Sequence, residues 1–439
     1  MRSLSVINLS ENSSQLSTCH SREGGNPYSR DGEIYTRTSR PVVMDSRLRG
    51  NDKVGSFFLI KKKIPVFLGI MILILFANFP AAAQVQGLET RAKYAILVDD
   101  NTNTVIFEKS PDERMTPSSM SKLMTLYVLF DKLKKGAFSI HDSFRVSEKA
   151  WRTQGSKTFV ALDSHVPVED LIRGIIIQSG NDACIVVAEG ISGSEEVFTH
   201  EMNATAEKLG MKGSHFANSN GLPDPEHYMT VRDLAILAHA LIHDFPEYYP
   251  YFSEKEYTFN GIHQYNRNML LARNIGVDGL KTGHTDEGGY GIVASAAREG
   301  RRMISVVNGL GGEKERADEA EKLLEYGFRE FETINFFKAG EVVENAEVWY
   351  GREKTVPLVS EKDVALTINK YLKKNISVEV VYSGPIPAPI KKGDHIADLV
   401  IKRQGVENIV MPLSAGNDVE KLSFFGRIIR SVSYRLNHH

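Results

Sequence analysis

The spacing of apolar positions changes period several times along this chain, and each change marks a different element. Tyr94-Ala95-Ile96-Leu97-Val98 and Thr104-Val105-Ile106-Phe107 are short apolar runs on either side of Asn101-Thr102-Asn103, which predicts a β-hairpin. From Pro117, the residues Met120, Leu123, Met124, Tyr127 and Val128 recur at helical spacing until Gly136 stops them. Residues 168–178 and 182–190 predict two largely buried helices, separated by the small polar turn Ser179-Gly180-Asn181. Residues 277–285, 290–297 and 303–310 concentrate apolar residues like adjacent antiparallel strands, the last two joined by a turn over 298–301. Past Glu330 the pattern shifts to short β-branched runs around Val342, Val348, Val364, Ile376 and Ile396, separated by Gly, Pro, Asn and Asp, as in a small β-sandwich. Segregated helices and strands followed by an all-β part predict an α+β chain.

Both ends depart from this. Residues 1–59 are polar and rich in Ser, Arg, Gly and Asn, with no sustained period, which predicts a disordered leader. Ser21-Arg22-Glu23-Gly24-Gly25-Asn26 and Ser46-Arg47-Leu48-Arg49-Gly50-Asn51 repeat the pattern S-R-x-x-G-N, so translation is expected to start downstream, at Met44 or nearer Phe57. Residues 60–83 read as a signal peptide: Lys61 to Lys63, the apolar run Ile64 to Ala77, then the A-x-A site Ala81-Ala82-Ala83. That run is 14 residues long, short of the roughly 20 a spanning helix needs. Over residues 420–439, Phe425, Ile428, Ile429, Val432 and Leu436 fall at helical spacing, with Lys421, Arg427, Arg430 and Arg435 and no acidic residue after Glu420. This predicts an interfacial helix lying on anionic lipid, or else one docked on the β-domain. Between these ends, residues 84–333 form the expected catalytic domain and 334–415 the β-domain.

Composition narrows the function classes. Among 439 residues, 42% are hydrophobic and 25% charged, with a net charge of −2. This is a globular composition with no basic field for nucleic acid. Of the two cysteines, Cys19 falls in the leader and Cys184 is expected to be a buried free thiol. Thirteen histidines without H-E-x-x-H or paired-Cys spacing give no reason to propose a metal, and no cofactor is expected.

Three motifs carry chemistry. Ser119-Met120-Ser121-Lys122 puts a hydroxyl and an amine on one helix face. Ser179-Gly180-Asn181 follows 60 residues later, and Lys281-Thr282-Gly283-His284-Thr285 another 102 residues on. Each alone has a bland reading: chance, helix capping, a solvated turn. In this order the chain resembles the penicillin-binding, serine-active-site family with its S-x-x-K, S-x-N and K-T-G trio. The resemblance is close to one branch, the low-molecular-mass D-alanyl-D-alanine carboxypeptidases, through Asp182-Ala183, Phe259-Asn260-Gly261-Ile262, Asn266-Arg267-Asn268 and Gly327-Phe328 as well. A departure is Leu162-Asp163-Ser164, where such proteins usually place a glycine turn. The resemblance implies a penicillin-binding/β-lactamase-like catalytic domain, with an antiparallel sheet flanked by helices plus an all-helical part.

The residues then take roles. No His/Asp pair stands near Ser119 in sequence to complete a triad, so Lys122 is the base, made neutral by desolvation and by the cation Lys281. Ser179 passes a proton to the leaving amine, Asn181 holds the substrate amide, and Lys281 and Thr282 bind a terminal carboxylate. Gly283 lets a substrate backbone approach. The resemblance implies that the backbone N–H groups of Ser119 and His284 form the oxyanion hole. It also implies that Arg267 and Arg316 lie near the carboxylate, although a surface ion pair is an equal reading for either. It further implies a peptidoglycan stem peptide ending in D-Ala-D-Ala as substrate, β-lactams as covalent inhibitors, and a place on the periplasmic face of the inner membrane. The rivals are a β-lactamase-like hydrolase, for which no E-x-x-L-N-type segment occurs between Asn181 and Lys281, and an idle cell-wall scaffold.

Overall fold

Apolar side chains on both faces of a sheet demand a cover on each, and that requirement organises the catalytic part. In this computed structural model, residues 2–7, 18–20, 88–403 and 406–428 are described. An antiparallel sheet runs in the order Thr104–Lys109, Tyr94–Asp99, Arg301–Leu310, Gly289–Arg298, Val277–Thr285. Successive residues of a strand point to opposite faces. Ile96, Val98, Val293, Ile304 and Val306 join one core with the helices. Ala95, Leu97, Ile292, Ala294 and Met303 join a second with Ala317, Ala320, Leu323 and Leu324 of the helix Glu313–Glu330.

The helical part packs around Lys122–Lys134, which is buried nearly all round: Leu123, Met124, Leu126, Val128, Leu129, Phe130 and Leu133 all face protein. Each such side chain contributes about 1.5–3 kcal/mol on burial. Helices Val168–Ile176, Asn181–Ser192, Glu195–Leu209 and Val231–Asp244 enclose it. Asp163 adopts φ 58°, so the left-handed turn that a glycine would favour is kept by an aspartate that tolerates it.

Helix gives way to strand at Glu330, three residues before the boundary read from the sequence, and the strand Phe331–Phe337 pairs with Val364–Asn369. A larger sheet continues through Ile386–Pro387, Val342–Trp349, Thr355–Val359, Val406–Ala415, His395–Arg403 and Ile376–Ser383. Val364, Leu366 and Ile368 of the small pair share one core with Val356, Leu358, Val378, Val380 and Leu399 of the large sheet. The α+β class and the β-rich second part are therefore as expected.

Arg2–Ile7 lies antiparallel along Ile376–Ser383, and Thr18–His20 pairs with it in turn. The expectation that residues 1–59 lack regular structure is corrected for these two stretches. The physical reason is the edge of the sheet: Ile376–Ser383 offers a row of unpaired backbone donors and acceptors to any extended segment. The rest of the leader, the signal peptide and the expected start sites at Met44 or nearer Phe57 lie outside the described residues. Of the tail, residues 424–428 are helical, and Ile429, Arg430, Val432, Arg435 and Leu436 lie outside the described residues. Among the described residues no helix is long and apolar enough to cross a membrane.

Candidate active site

A short 3-10 turn, Ser118–Ser121, leads into the central helix and sets Ser119 half-buried at its mouth. Lys122, at the first position of that helix, has no exposed surface. Its Nζ lies 2.8 Å from Ser119 Oγ and 2.8 Å from Asn181 Oδ1, and it also meets the backbone carbonyl of Asn220. Asn181 Oδ1 and Asn220 O can only accept, so a neutral amine gives them its two N–H bonds and turns its lone pair toward the Ser119 hydroxyl. Burial pushes the Lys122 pKa down to about 8, with a smaller push from Arg267. Beside burial, the cation that lowers Lys122 is thus Arg267 rather than the expected Lys281; Lys281, buried on its strand, is itself held well below its usual value by burial first and by Lys122 next.

Ser179 sits in the turn between Val168–Ile176 and Asn181–Ser192 at φ 59°, and its buried Oγ has no hydrogen-bond partner among the described residues. A serine in the left-handed region with an orphaned hydroxyl is a strained, unsatisfied position, the kind that clusters where chemistry is done. Asn181 is oriented by donating Nδ2 to Gln154 O at 2.7 Å, and its backbone N–H donates to Ser156 O. A Cβ at Gly155, which has φ 86°, would stand 2.7 Å from Asn181 Nδ2. Only glycine leaves that amide room.

The strand Val277–Thr285 is the sheet edge, with Lys281 and Thr282 buried and His284 exposed. Lys281 Nζ donates to Thr282 O at 3.1 Å. Gly283 also answers a packing demand within the chain. A Cβ there would lie 2.9 Å from Pro117 O and 3.2 Å from Met120 N, so the backbone of the nucleophile turn comes close to it. Ser118 Oγ to Thr285 Oγ1, 3.0 Å, fastens the same two segments. His284 stacks on Tyr290 with ring centroids 3.9 Å apart, and Arg316 lies 5.7 Å from the centroid of that tyrosine ring. Arg316 is buried, donates to Arg267 O, and is held below its usual pKa by burial. Arg267 is exposed and donates to Ser156 Oγ at 2.9 Å. Neither arginine forms an ion pair among the described residues, so both keep charge available to a ligand.

The structure thus brings Ser119, Lys122, Asn181 and the Lys281 strand together, with Ser179 beside Asn181. Sequence reasoning missed Asn220, Gln154 and the clamping role of Asp182. Asp182 accepts backbone N–H bonds from Thr158 (2.8 Å), Phe159 (2.9 Å) and Val160 (3.3 Å). Asn220 contributes a carbonyl, which every residue has, so no side-chain signal could have marked it. Cys184 is buried and free, its thiol pushed up to about 12 by burial.

With this geometry in hand, comparison with known proteins is specific. Residues 80–311 match a family model described as D-alanyl-D-alanine carboxypeptidase, and residues 331–421 match the C-terminal domain of penicillin-binding protein 5. The chain is 39% identical over 355 residues to D-alanyl-D-alanine carboxypeptidase DacA of Escherichia coli (strain K12), covering 79% of this chain and 88% of that protein. It superposes on penicillin binding protein 5 from Haemophilus influenzae with a TM-score of 0.73 at 38% identity, covering 77% of this chain and 100% of that one. Penicillin-binding protein D2 of Listeria monocytogenes, solved in an ampicillin-bound form, matches at 30% identity and TM-score 0.51 over 55% of this chain and 99% of that one.

Proposed function

We propose, for a chain that belongs to the D-alanyl-D-alanine carboxypeptidase family, that Ser119 is the nucleophile that removes the terminal D-alanine from peptidoglycan stem peptides. The observation that carries this is the buried Lys122 Nζ, which bridges Ser119 Oγ and Asn181 Oδ1 at 2.8 Å each. In the first step Ser119 Oγ attacks the carbonyl carbon of the penultimate residue, and its proton passes to neutral Lys122. The C–N bond then breaks as the amine of the departing D-alanine takes a proton from Ser179 Oγ, which Lys122 resupplies. Water, with Lys122 again as base, cleaves the ester. Lys281, Thr282, Arg267 and Arg316 bind the terminal carboxylate, Asn181 holds the adjacent amide, and the N–H groups of Ser119 and His284 receive the oxyanion. A β-lactam is opened by the same attack, but its leaving nitrogen stays tethered and bars the water.

Incubation with a fluorescent penicillin and, separately, with a D-Ala-D-Ala-ended peptide tests this reading. Stable labelling together with D-alanine release is expected, and Ser119→Ala abolishes both. Fast penicillin turnover without release of D-alanine would mark a β-lactamase, and neither activity a scaffold.

The enzyme works outside the cytoplasm, on the membrane surface. The basic-apolar-small pattern of residues 60–83 supports export. The exposure of Phe424 (64%), Phe425 (76%) and Ile428 (48%) at the start of the tail leaves an apolar face for lipid. Deleting residues 421–439 is expected to move the protein from the membrane to the soluble fraction. Unchanged sedimentation with membranes after signal cleavage would refute the anchor.

A further inference from the structure

At the opposite end of the sheet from the nucleophile turn, the helix Val231–Asp244 carries His239 and His243, one turn apart on one face. Both imidazoles address one carboxylate. His239 Nδ1 lies 2.7 Å from Asp100 Oδ1, and His243 Nε2 lies 2.9 Å from Asp100 Oδ2. The two rings stand 4.3 Å apart at 45°. Asp100 leaves the end of strand Tyr94–Asp99, and its side chain is 2% exposed, against 39% and 51% for the two imidazoles. The cluster is therefore a carboxylate floor with two nitrogen walls, open to solvent on one side. Lys281 lies in register with Val293, Val306 and Ile96, four residues before Asp100, so this is a separate place in the fold.

We propose that Asp100, His239 and His243 form a binding site for one divalent transition cation of the zinc type. Two imidazole nitrogens and one carboxylate oxygen suit borderline cations, whereas calcium and magnesium take oxygen ligands. The ligand atoms all lie within 4.8 Å of one another. A tetrahedral ion with bonds of about 2.0–2.1 Å sets its ligand atoms roughly 3.3 Å apart, so the close His–Asp contacts widen and the widest separation, up to 4.8 Å, closes toward that value, shifts that rotation of the half-exposed imidazoles supplies. In the metal-free arrangement each imidazole donates its N–H to the carboxylate, which accepts only. A cation takes the lone pair of that same nitrogen, and the proton moves to the other nitrogen of the ring, with no net charge transferred. The open side supplies the fourth position to water.

The surrounding charge favours a cation. Asp244 adds a second carboxylate on the same helix, its Oδ2 accepting from Tyr127 at 2.7 Å. The nearby Arg302 is already paired through both terminal nitrogens with Asp278 at 2.8 Å. The sequence shows only H-x-x-x-H, without the glutamate of the metalloprotease motif, and the third ligand arrives from 139 residues away.

Titration of the chelator-treated full chain with zinc ions in a calorimeter, and with cobalt(II) in a spectrophotometer, tests the site. The expected result is one ion per chain, a raised melting temperature, and the intense visible absorption of four-coordinate cobalt. Both His243→Gln, a change at a half-exposed position that spares the fold, and the double substitution His239→Ala/His243→Ala should weaken binding at least tenfold. Penicillin labelling at Ser119 should persist throughout. Absence of binding, or an affinity and cobalt spectrum unchanged in these variants, would overturn the proposal and assign any bound ion to other histidines such as His438 and His439.

Discussion

A lysine sealed from water beside a serine must be neutral before it can take the serine's proton, and the surroundings of Lys122 decide how often it is. With a pKa of about 8, roughly a tenth of the molecules carry the neutral amine at pH 7. Because the folded value is depressed, the neutral share rises with pH, reaches about half near pH 8 and saturates about one unit higher. The acylation rate by a labelled penicillin should therefore climb about tenfold from pH 6 to 7, about fivefold from pH 7 to 8, and level off near pH 9. A flat profile across that range would remove Lys122 as the base. The residues of this site were legible in the sequence to the extent that side chains carry them: Ser119, Lys122, Ser179, Asn181 and Lys281 announce themselves by type and spacing. What aims Lys122 was not legible, because the Asn220 partner is a backbone carbonyl and the Gln154 partner of Asn181 is another. Gly283 was legible as a place of close approach but not as to what approaches. That required the strand and the nucleophile turn to be set against one another.

At the scale of elements, the site depends on how Asp182 in the first turn of helix Asn181–Ser192 ties down residues 154–160. Its Oδ1 accepts from Thr158 and Ala183, and its Oδ2 from Phe159 and Val160. The segment held this way carries Gln154 O and Ser156 O, the two carbonyls that position Asn181. In Asp182→Asn the amide can still accept at one oxygen, but its NH2 faces the N–H groups of Phe159 and Val160, donor against donor. The expected cost is about 2–3 kcal/mol of stability, read from the urea midpoint, with a fall in the acylation rate because Asn181 loses its support. An unchanged midpoint would mean the clamp is not what holds the segment. Helices and strands of this part were readable from periodicity, since each buries an apolar face. The addition of Arg2–Ile7 to the β-domain was not, because a sheet edge recruits a strand by backbone pairing and asks little of its sequence.

At the scale of the whole molecule, the β-domain keeps its own hydrophobic core, from Phe337 to Val419, apart from the two cores on either face of the catalytic sheet. A polar clasp joins the catalytic part to the β-domain. Asp99, fully buried, takes Arg301 Nη2 at 3.1 Å and Thr333 Oγ1 at 3.2 Å. Arg301 Nη1 reaches Phe331 O at 2.8 Å, and Thr102 meets Thr367 at 2.7 Å. Removing one partner of a buried pair leaves the other charge without compensation, which typically costs about 3–5 kcal/mol. Arg301→Met should therefore destabilise the junction by that order, and adding Asp99→Asn should recover much of the loss, because no unpaired charge then remains inside. The two tryptophans allow the effect to be located: Trp151 reports on the catalytic part and Trp349 on the β-domain. With each tryptophan kept singly, urea unfolding followed by fluorescence should give coincident transitions for the wild-type clasp and separated ones for Arg301→Met, with Trp349 unfolding apart from Trp151. Coincident transitions at an unchanged midpoint in Arg301→Met would show that the clasp does not couple the catalytic part to the β-domain.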